Sequence, residues 1–236
     1  MRVADILFPE KCIFCGKLLS SDENGYCIGC GHRLSYVTEP VCMRCGKPVA
    51  DAETEYCSNC EMNIFPALDK GAAVWVYDEV TKPAMADFKY GGCAEDAAVY
   101  ADEICSARYD FIQKCKPDAI VPVPIHKKRF RFRGYNQAER LAAEIGKRIG
   151  IPVLPLIKRT LYTQPLKKLS ATERKKSLLS AFEADEKLCR EQIPANVILV
   201  DDIYTTGSTV EVCAKVLKSI GVKNVYAIYI CIGKDF

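Results

Sequence analysis

The sequence predicts an α/β protein, with a central and mainly parallel sheet, flanking helices and a small metal-bound region at the N-terminus. Three observations carry this. Short apolar runs at Ala119–Val123, Ile198–Asp201 and Val225–Cys231 are separated by amphipathic helical stretches, the order of a strand–crossover–strand fold. Ile198–Thr209 reads ILVDDIYTTGST, a strand that ends on two carboxylates and turns through Thr, Gly and Ser into a helix. Eight cysteines stand in four CxxC pairs near the N-terminus.

The 236 residues divide naturally near the last CxxC pair, into a ribbon region at 1–66 and a larger domain at 67–236. Hydrophobic content of 49% and charged content of 27% suit a globular chain. No apolar stretch approaches the roughly 18 residues of a membrane span. The start, MRVADILFPEKC, has no apolar core of a secretory signal. Of 14 cysteines, six lie scattered outside the pairs and read as free thiols, which predicts a reducing, cytoplasmic setting rather than a disulfide scaffold. The net charge of +3 hides an uneven distribution. Val123–Phe182 holds 15 Lys/Arg against 3 Asp/Glu, so an anionic ligand is expected there.

The CxxC pairs are Cys12/Cys15, Cys27/Cys30, Cys42/Cys45 and Cys57/Cys60, each starting 15 residues after the last. Three are followed by Gly, which permits the tight turn that aims backbone amides at a thiolate. Eight soft ligands make two tetrahedral Zn2+ sites, closed by four thiolates each and therefore structural. Pairing in sequence order is the simplest arrangement, and spacing alone also permits the first pair with the third and the second with the fourth. The region has few large apolar residues, so metal substitutes for a core. His32 adjoins the second pair as an alternative ligand.

Between ribbons and basic segment, Ala72–Tyr77 is a predicted strand, Val80–Lys89 a short helix, and Asp96–Cys115 one long helix stopped by Pro117. Lys89, before Tyr90-Gly91-Gly92, is either a solvated helix end or a phosphate contact. Asn136 caps a helix carrying Leu141, Ile145 and Ile149.

Ligands of such folds sit beyond the carboxyl ends of strands, and both distinctive loops fall there. In the first, His126–Arg133 reads HKKRFRFR, a basic loop. Its Phe130 and Phe132 alternate with arginines, a pattern that buries aromatics or stacks bases. The second follows Asp201 and Asp202. There is neither GxGxxG nor GxxxxGK[ST], which argues against dinucleotide and P-loop sites. Thr205–Thr209 instead offers amides and hydroxyls to one phosphate at the start of a helix with Val210, Ala214 and Leu217 facing the core. Two adjacent carboxylates beside a phosphate cradle suit a sugar diol or a metal, so the ligand class read from these residues is a phosphorylated ribose. A third basic stretch, Lys158–Lys176, is a candidate mobile lid.

These residues resemble the type I phosphoribosyltransferase superfamily and, within it, the ComF family, which includes ComFC- and GntX-like proteins. The superfamily likeness rests on ILVDDIYTTGST. The narrower one rests on the CxxC array, on KYGG at Lys89–Gly92, on VPVPIHKKRFRFRGYNQAERLA at Val121–Ala142 and on RTLYTQPLKKLSATERKKSLLSAF at Arg159–Phe182. The resemblance implies a type I phosphoribosyltransferase fold whose Asp201 and Asp202 hold the ribose hydroxyls of phosphoribosyl pyrophosphate (PRPP), partly through Mg2+. It implies a 5-phosphate cradle at Thr205, Thr206, Gly207, Ser208 and Thr209, with Val123 and Pro124 near the pyrophosphate loop and Lys89 among the residues that bind the ligand. Arg129 and Arg133 are then the catalytic cations. Lys127, Lys128, Arg129, Phe130, Arg131, Arg133 and Arg174 are candidates for contacting single-stranded DNA. Gln164 matches a family position, whereas Ser177 stands where Asn is frequent. The family further implies a role in natural transformation, with single-stranded DNA and an uptake helicase as partners. A homodimer is expected only as the general prior for such proteins. Two readings follow: a Mg2+-dependent phosphoribosyltransferase for an unspecified acceptor, and a non-catalytic DNA-binding or adaptor protein on the same fold.

Overall fold

Four strands assemble into one parallel sheet in the computed structural model, which describes residues 10–64, 66–161, 180–188 and 193–234. In chain order the strands are β1 (Lys70–Val76), β2 (Ala119–Pro122), β3 (Ile157–Arg159), β4 (Phe182–Ala184), β5 (Asn196–Tyr204) and β6 (Asn224–Ile232). The helices are α1 (Ile28–Gly31), α2 (Ser58–Glu61), α3 (Thr81–Tyr90), α4 (Ala97–Ala107), α5 (Tyr109–Cys115), α6 (Lys127–Arg133), α7 (Gln137–Ile149) and α8 (Ser208–Ser219). The sheet runs β1-β6-β5-β2, while β3 and β4 form a separate antiparallel pair. The central strands β5 and β6 are almost continuously buried, as expected when both faces of a parallel sheet are covered. One face packs against α3, α4, α5 and α7 through Phe88, Tyr100, Ile104, Ile112, Leu141 and Ile145. The other packs against α8 and the β3–β4 pair through Val210, Ala214, Leu217, Ile157 and Phe182.

Both sheet edges are covered. Val37 N donates to Val74 O (2.8 Å) and Val76 N to Ser35 O (2.8 Å), so the segment between the two ribbons pairs antiparallel with β1. On the far side Ile120 N donates to Pro152 O (2.9 Å) and Leu154 N to Ile120 O (2.8 Å). Unpaired edge amides would otherwise invite another chain. The ribbons straddle the β1 edge. Phe14 and Tyr26 of the first pack on Trp75 with ring centroids 5.6 and 6.4 Å away. The Tyr26 and Tyr36 hydroxyls both donate to Glu103 on α4, at 2.6 and 2.9 Å. The second ribbon joins the core of the opposite face, with Cys42 and Cys45 fully buried there.

The expected helix over 96–115 is in fact a short 3-10 turn at Ala94–Asp96 followed by α4 and α5. The break falls at Arg108 (φ −121°), whose guanidinium donates to Ala73 O and Val37 O, both at 2.7 Å. That half-buried arginine stitches the ribbon segment to β1, and its backbone yields helical geometry to reach both carbonyls. The expected basic loop at His126–Arg133 is also helical. His126 Nδ1 accepts from Lys128 N (3.1 Å) as the cap of α6, and Gly134 (φ 82°) ends it. The proposed lid at Lys158–Lys176 begins in β3, and its residues from 162 onward, with Gln164, Arg174 and Ser177, lie outside the described residues. No helix among the described residues is long and apolar enough to cross a membrane.

The cysteine pairs alternate in kind, so the true structural repeat is 30 residues rather than 15. Cys12/Cys15 and Cys42/Cys45 sit on turns whose following glycines have positive φ, 71° at Gly16 and 75° at Gly46. Cys27 and Cys57 cap the four-residue helices α1 and α2. Gly31 is therefore helical, not a turn residue. The two knuckles differ in surroundings. A Cβ at Gly16 would meet nothing within 4 Å, whereas one at Gly46 would lie 2.5 Å from Gly71 O. Gly16→Ala is expected to cost about 1–2 kcal/mol, the penalty of the left-handed conformation alone. Gly46→Ala is expected to cost distinctly more and to loosen the ribbon from β1. Chemical denaturation of the two zinc-loaded variants checks the difference.

Candidate functional site

The carboxyl ends of β2 and β5 lie side by side, because Pro122 pairs with Val200 and Val123 N donates to Val200 O (2.9 Å). Beyond them opens a cavity of about 140 Å3. Its lining includes Lys89, Val123, Pro124, Arg129, Arg133, Asn136, Gln137, Arg159, Asp201, Asp202 and Thr209. Five separate stretches of chain thus converge on one space.

Asp201 and Asp202 occupy consecutive positions near the end of β5, so they project to opposite faces of the sheet. Asp202 is 7% exposed and accepts an ion pair from Lys89, Nζ to Oδ1 3.1 Å. The ammonium of Lys89 is thus turned in from solvent and paired with a buried carboxylate. Asp201 faces α8 and Arg159, and its Oδ1 accepts from Asp202 N at 2.9 Å. Burial, then the neighbouring Asp202 charge, pushes the Asp201 carboxyl up to about 7.

The α3 end that carries Lys89 is held from the other side. Phe88 O accepts from the Tyr135 hydroxyl and from Gln137 Nε2 (3.2 Å). Asn136 Nδ2 donates to Val123 O (3.1 Å) while its Oδ1 caps α7 through Ala138 N (3.1 Å). Arg133 is oriented by three contacts: Gln137 Oε1 (2.9 Å), the Tyr90 hydroxyl (3.1 Å) and the Tyr90 ring face, 4.9 Å from its guanidinium. Arg159 stacks on Phe182 at 4.9 Å. Burial, then Arg129, lowers the Arg159 pKa, so two guanidinium groups are crowded at the same wall. Such crowding is what a multiply charged anion relieves.

The phosphate-loop candidate lies at the cavity rim. Gly207 (φ 76°) is the N-cap of α8, and a Cβ there would lie 2.1 Å from the Tyr204 hydroxyl. Only glycine fits. The backbone amides of Thr205–Thr209 donate to no group among the described residues, and Thr206 Oγ1 and Ser208 Oγ lie 3.0 Å apart. Free amides at the N-terminus of a twelve-residue helix have the polarity that suits an anion.

Of the residues singled out from sequence, Lys89, Val123, Pro124, Arg129, Arg133, Asp201, Asp202 and Thr209 meet at the cavity. Thr205, Thr206 and Ser208 are placed on the loop beside it, with Thr205 and Thr206 exposed. Lys127, Lys128, Phe130 and Arg131 lie along α6, away from the lining. Arg174 lies outside the described residues. Asn136, Gln137, Arg159 and Tyr90 are site residues that sequence reasoning misses. The GYNQ run holds the signal, but Asn136 also reads as a simple helix cap, and nothing local reveals that Gln137 spans two helices.

The cysteines group in sequence order: Cys12, Cys15, Cys27 and Cys30 form one set, Cys42, Cys45, Cys57 and Cys60 the other, with all sulfurs of a set within 4.8 Å of one another. Sulfur separations of 3.8 Å (Cys15–Cys27) and 3.6 Å (Cys45–Cys57) agree with the ~3.8 Å edge of a tetrahedron built on Zn–S bonds of about 2.3 Å. These are two structural Zn2+ sites, and His32 is exposed outside them. No disulfide occurs among the described residues.

Residues 3–61 match the double zinc ribbon domain family. Competence protein F of Haemophilus influenzae is 30% identical over 227 residues, covering 92% of this chain and 95% of that protein. Competence protein ComFC of Bacillus subtilis is 31% identical over 150 residues, 64% of this chain and 58% of that protein. Among solved structures, an adenine phosphoribosyltransferase aligns over 75% of this chain and 90% of its own, at 16% identity and a TM-score of 0.39. The near full-length match to Competence protein F, with the separately matched ribbons and their two cysteine sets, shows that this chain belongs to the ComF family.

Proposed function

We propose that this protein binds a phosphoribosyl ligand, PRPP, together with Mg2+, and that it serves the handling of DNA in natural transformation. The observation that carries the first part is the joining of Asp201 and Asp202 to the free amides of Thr205–Thr209 around one cation-lined cavity. The donor set fits: amides and hydroxyls for the 5-phosphate, carboxylate oxygens for the ribose diol and Mg2+, and Arg129, Arg133 and Arg159 for the pyrophosphate. Bound Mg2+ supplies charge neutralisation to the pyrophosphate. The chain's own residues do the rest. Asp201 and Asp202 fix the diol and favour positive charge developing at C1. The arginines stabilise the departing pyrophosphate. Positioning and electrostatics drive such a departure, and no general base is required of the enzyme.

The competence names of the relatives support the second part, and one surface favours single-stranded DNA as the partner. Tyr90 (62% exposed) and Phe132 (80% exposed) meet edge to face at 6.3 Å, beside Arg131 and Arg133. Exposed rings rimmed by cations are the usual platform for unpaired bases.

Calorimetric titration of the zinc-loaded protein with PRPP is expected to show micromolar binding that requires Mg2+ and disappears in Asp201→Asn and Gly207→Ala. Absence of binding up to millimolar PRPP in the native protein would overturn the ligand assignment. The same Asp201 variant has a stability signature. A carboxyl raised to about 7 favours the fold while protonated, and that contribution is lost as pH rises from the ordinary range near 4 through 7. Asp201→Asn is therefore expected to melt a few degrees above the native protein at pH 8, with the gain disappearing by pH 4. For DNA, Phe132→Ala and Tyr90→Ala are each expected to weaken oligonucleotide binding by about 1–3 kcal/mol. The logarithm of the native affinity should fall with the logarithm of salt, with a slope of about −0.7 per phosphate engaged. Fluorescence anisotropy measures both.

A further inference from the structure

The two ribbons look alike in sequence and are not alike in place. CxxCGK occurs at Cys12–Lys17 and again at Cys42–Lys47. In the first copy Cys15 and Lys17 are exposed. In the second, Cys42 and Cys45 are at 0% exposure and Lys47 at 2%. What covers the second copy is the sheet: the β1 backbone at Gly71 and Ala72, and the buried cluster that holds Tyr204 and Tyr229.

The contacts form a continuous path. Gly71 in β1 lies directly against the knuckle, where a Cβ would be 3.0 Å from both Cys45 O and the Tyr229 hydroxyl. The Tyr229 ring packs on the Tyr204 ring with centroids 4.8 Å apart. Tyr204, last residue of β5 and 4% exposed, packs in one buried cluster with Cys42, Cys45, Cys57 and Cys60, near enough to Cys45 for hydroxyl and thiol to perturb one another. That same hydroxyl sits where a Gly207 Cβ would be, at 2.1 Å. Tyr229 is wholly buried with its hydroxyl unpaired among the described residues, and it lies in the same buried cluster as Cys45 and Cys60. Four thiolates around one divalent cation leave net negative charge, which outer donors must offset, and such donors set metal affinity. Among the described residues the first ribbon has no comparable arrangement: its neighbours Tyr26 and Tyr36 donate to Glu103 instead.

We propose that Tyr204 is a positioning residue that ties the second four-cysteine centre to the phosphate loop, so that metal held by Cys42, Cys45, Cys57 and Cys60 raises the affinity of Thr205–Thr209 for a phosphoryl group. The inference rests on the phosphoribosyl reading above. It makes the second ribbon part of the ligand site and leaves the first as a clamp on α4. By reciprocity, a phosphoryl ligand on the loop tightens the metal of the second centre by the same factor.

The test uses the full chain with cadmium in both centres, read by cadmium NMR, and ribose 5-phosphate as the probe, titrated by calorimetry. Tyr204→Phe keeps the ring and removes the hydroxyl. It is expected to shift the resonance of the second centre alone, to weaken metal retention there about 10-fold against a chelator, and to weaken ribose 5-phosphate about 10-fold. The unchanged first-centre resonance reports that the variant is folded. In the native protein, with no substitution, saturating ribose 5-phosphate is expected to slow chelator removal from the second centre and not from the first. Native protein that binds ribose 5-phosphate with no effect on metal retention would overturn the coupling while leaving the ligand reading intact, as would a Tyr204→Phe variant of unchanged affinity. Native protein that binds no ribose 5-phosphate would overturn both.

Discussion

Two adjacent carboxylates at the end of a buried central strand are the constraint around which this molecule is arranged. A buried carboxylate without a partner is costly, and β5 carries two near its end. Asp202 is met by Lys89 at 3.1 Å, which requires the end of α3 to lie over the sheet. Holding α3 there engages Tyr135 and Gln137 through Phe88 O, and these fix the start of α7. Gln137 in turn receives Arg133. One electrostatic requirement thus propagates through four stretches of chain and assembles the cationic wall. Among the described residues Asp201 receives no equally close cation, so its charge is the one that a bound cation or diol would meet.

The second requirement is to close the sheet. A four-stranded parallel sheet has two open edges, and this chain covers one with the segment joining its zinc ribbons. The metal centres therefore do more than replace a small hydrophobic core. They fold the segment that pairs with β1, and they present Phe14, Tyr26 and Tyr36 around the buried Trp75. Each such edge-to-face pair adds about 0.5–1.5 kcal/mol beyond its buried area. Arg108 completes the junction by donating to a carbonyl on each side of it. A ribbon attached this way is a structural continuation of the sheet.

Much of the local structure is legible in the sequence because its causes are local. The β5 strand, the turn at Gly207 and the α8 helix follow from an apolar run, a glycine and an amphipathic repeat. The α7 cap at Asn136 follows from residue chemistry in the same way. Sequence and structure part where a distant partner decides the outcome. The break at Arg108 has no sequence signal, because its cause is a pair of carbonyls at Val37 and Ala73. The basic run at His126–Arg133 reads as a loop from its charge, while its cap, Nδ1 of His126, belongs to a residue type seldom counted among helix starts.

Read alone, the sequence determined which chemistry is available: eight thiolates in repeating pairs, two carboxylates before a Thr/Gly/Ser turn, and a concentration of arginines. Side-chain type and spacing along one chain are enough for that. Tertiary structure alone decided how these groups are used. It chose the sequential cysteine pairing, because only folding brings sulfurs to 3.6–3.8 Å. It assigned Lys89 to Asp202. And it made two equal CxxCGK motifs unequal, leaving Lys17 in solvent and burying Lys47. The physical reason is that burial and electrostatic partnership are properties of what lies across the fold, and no stretch of sequence contains its own neighbours.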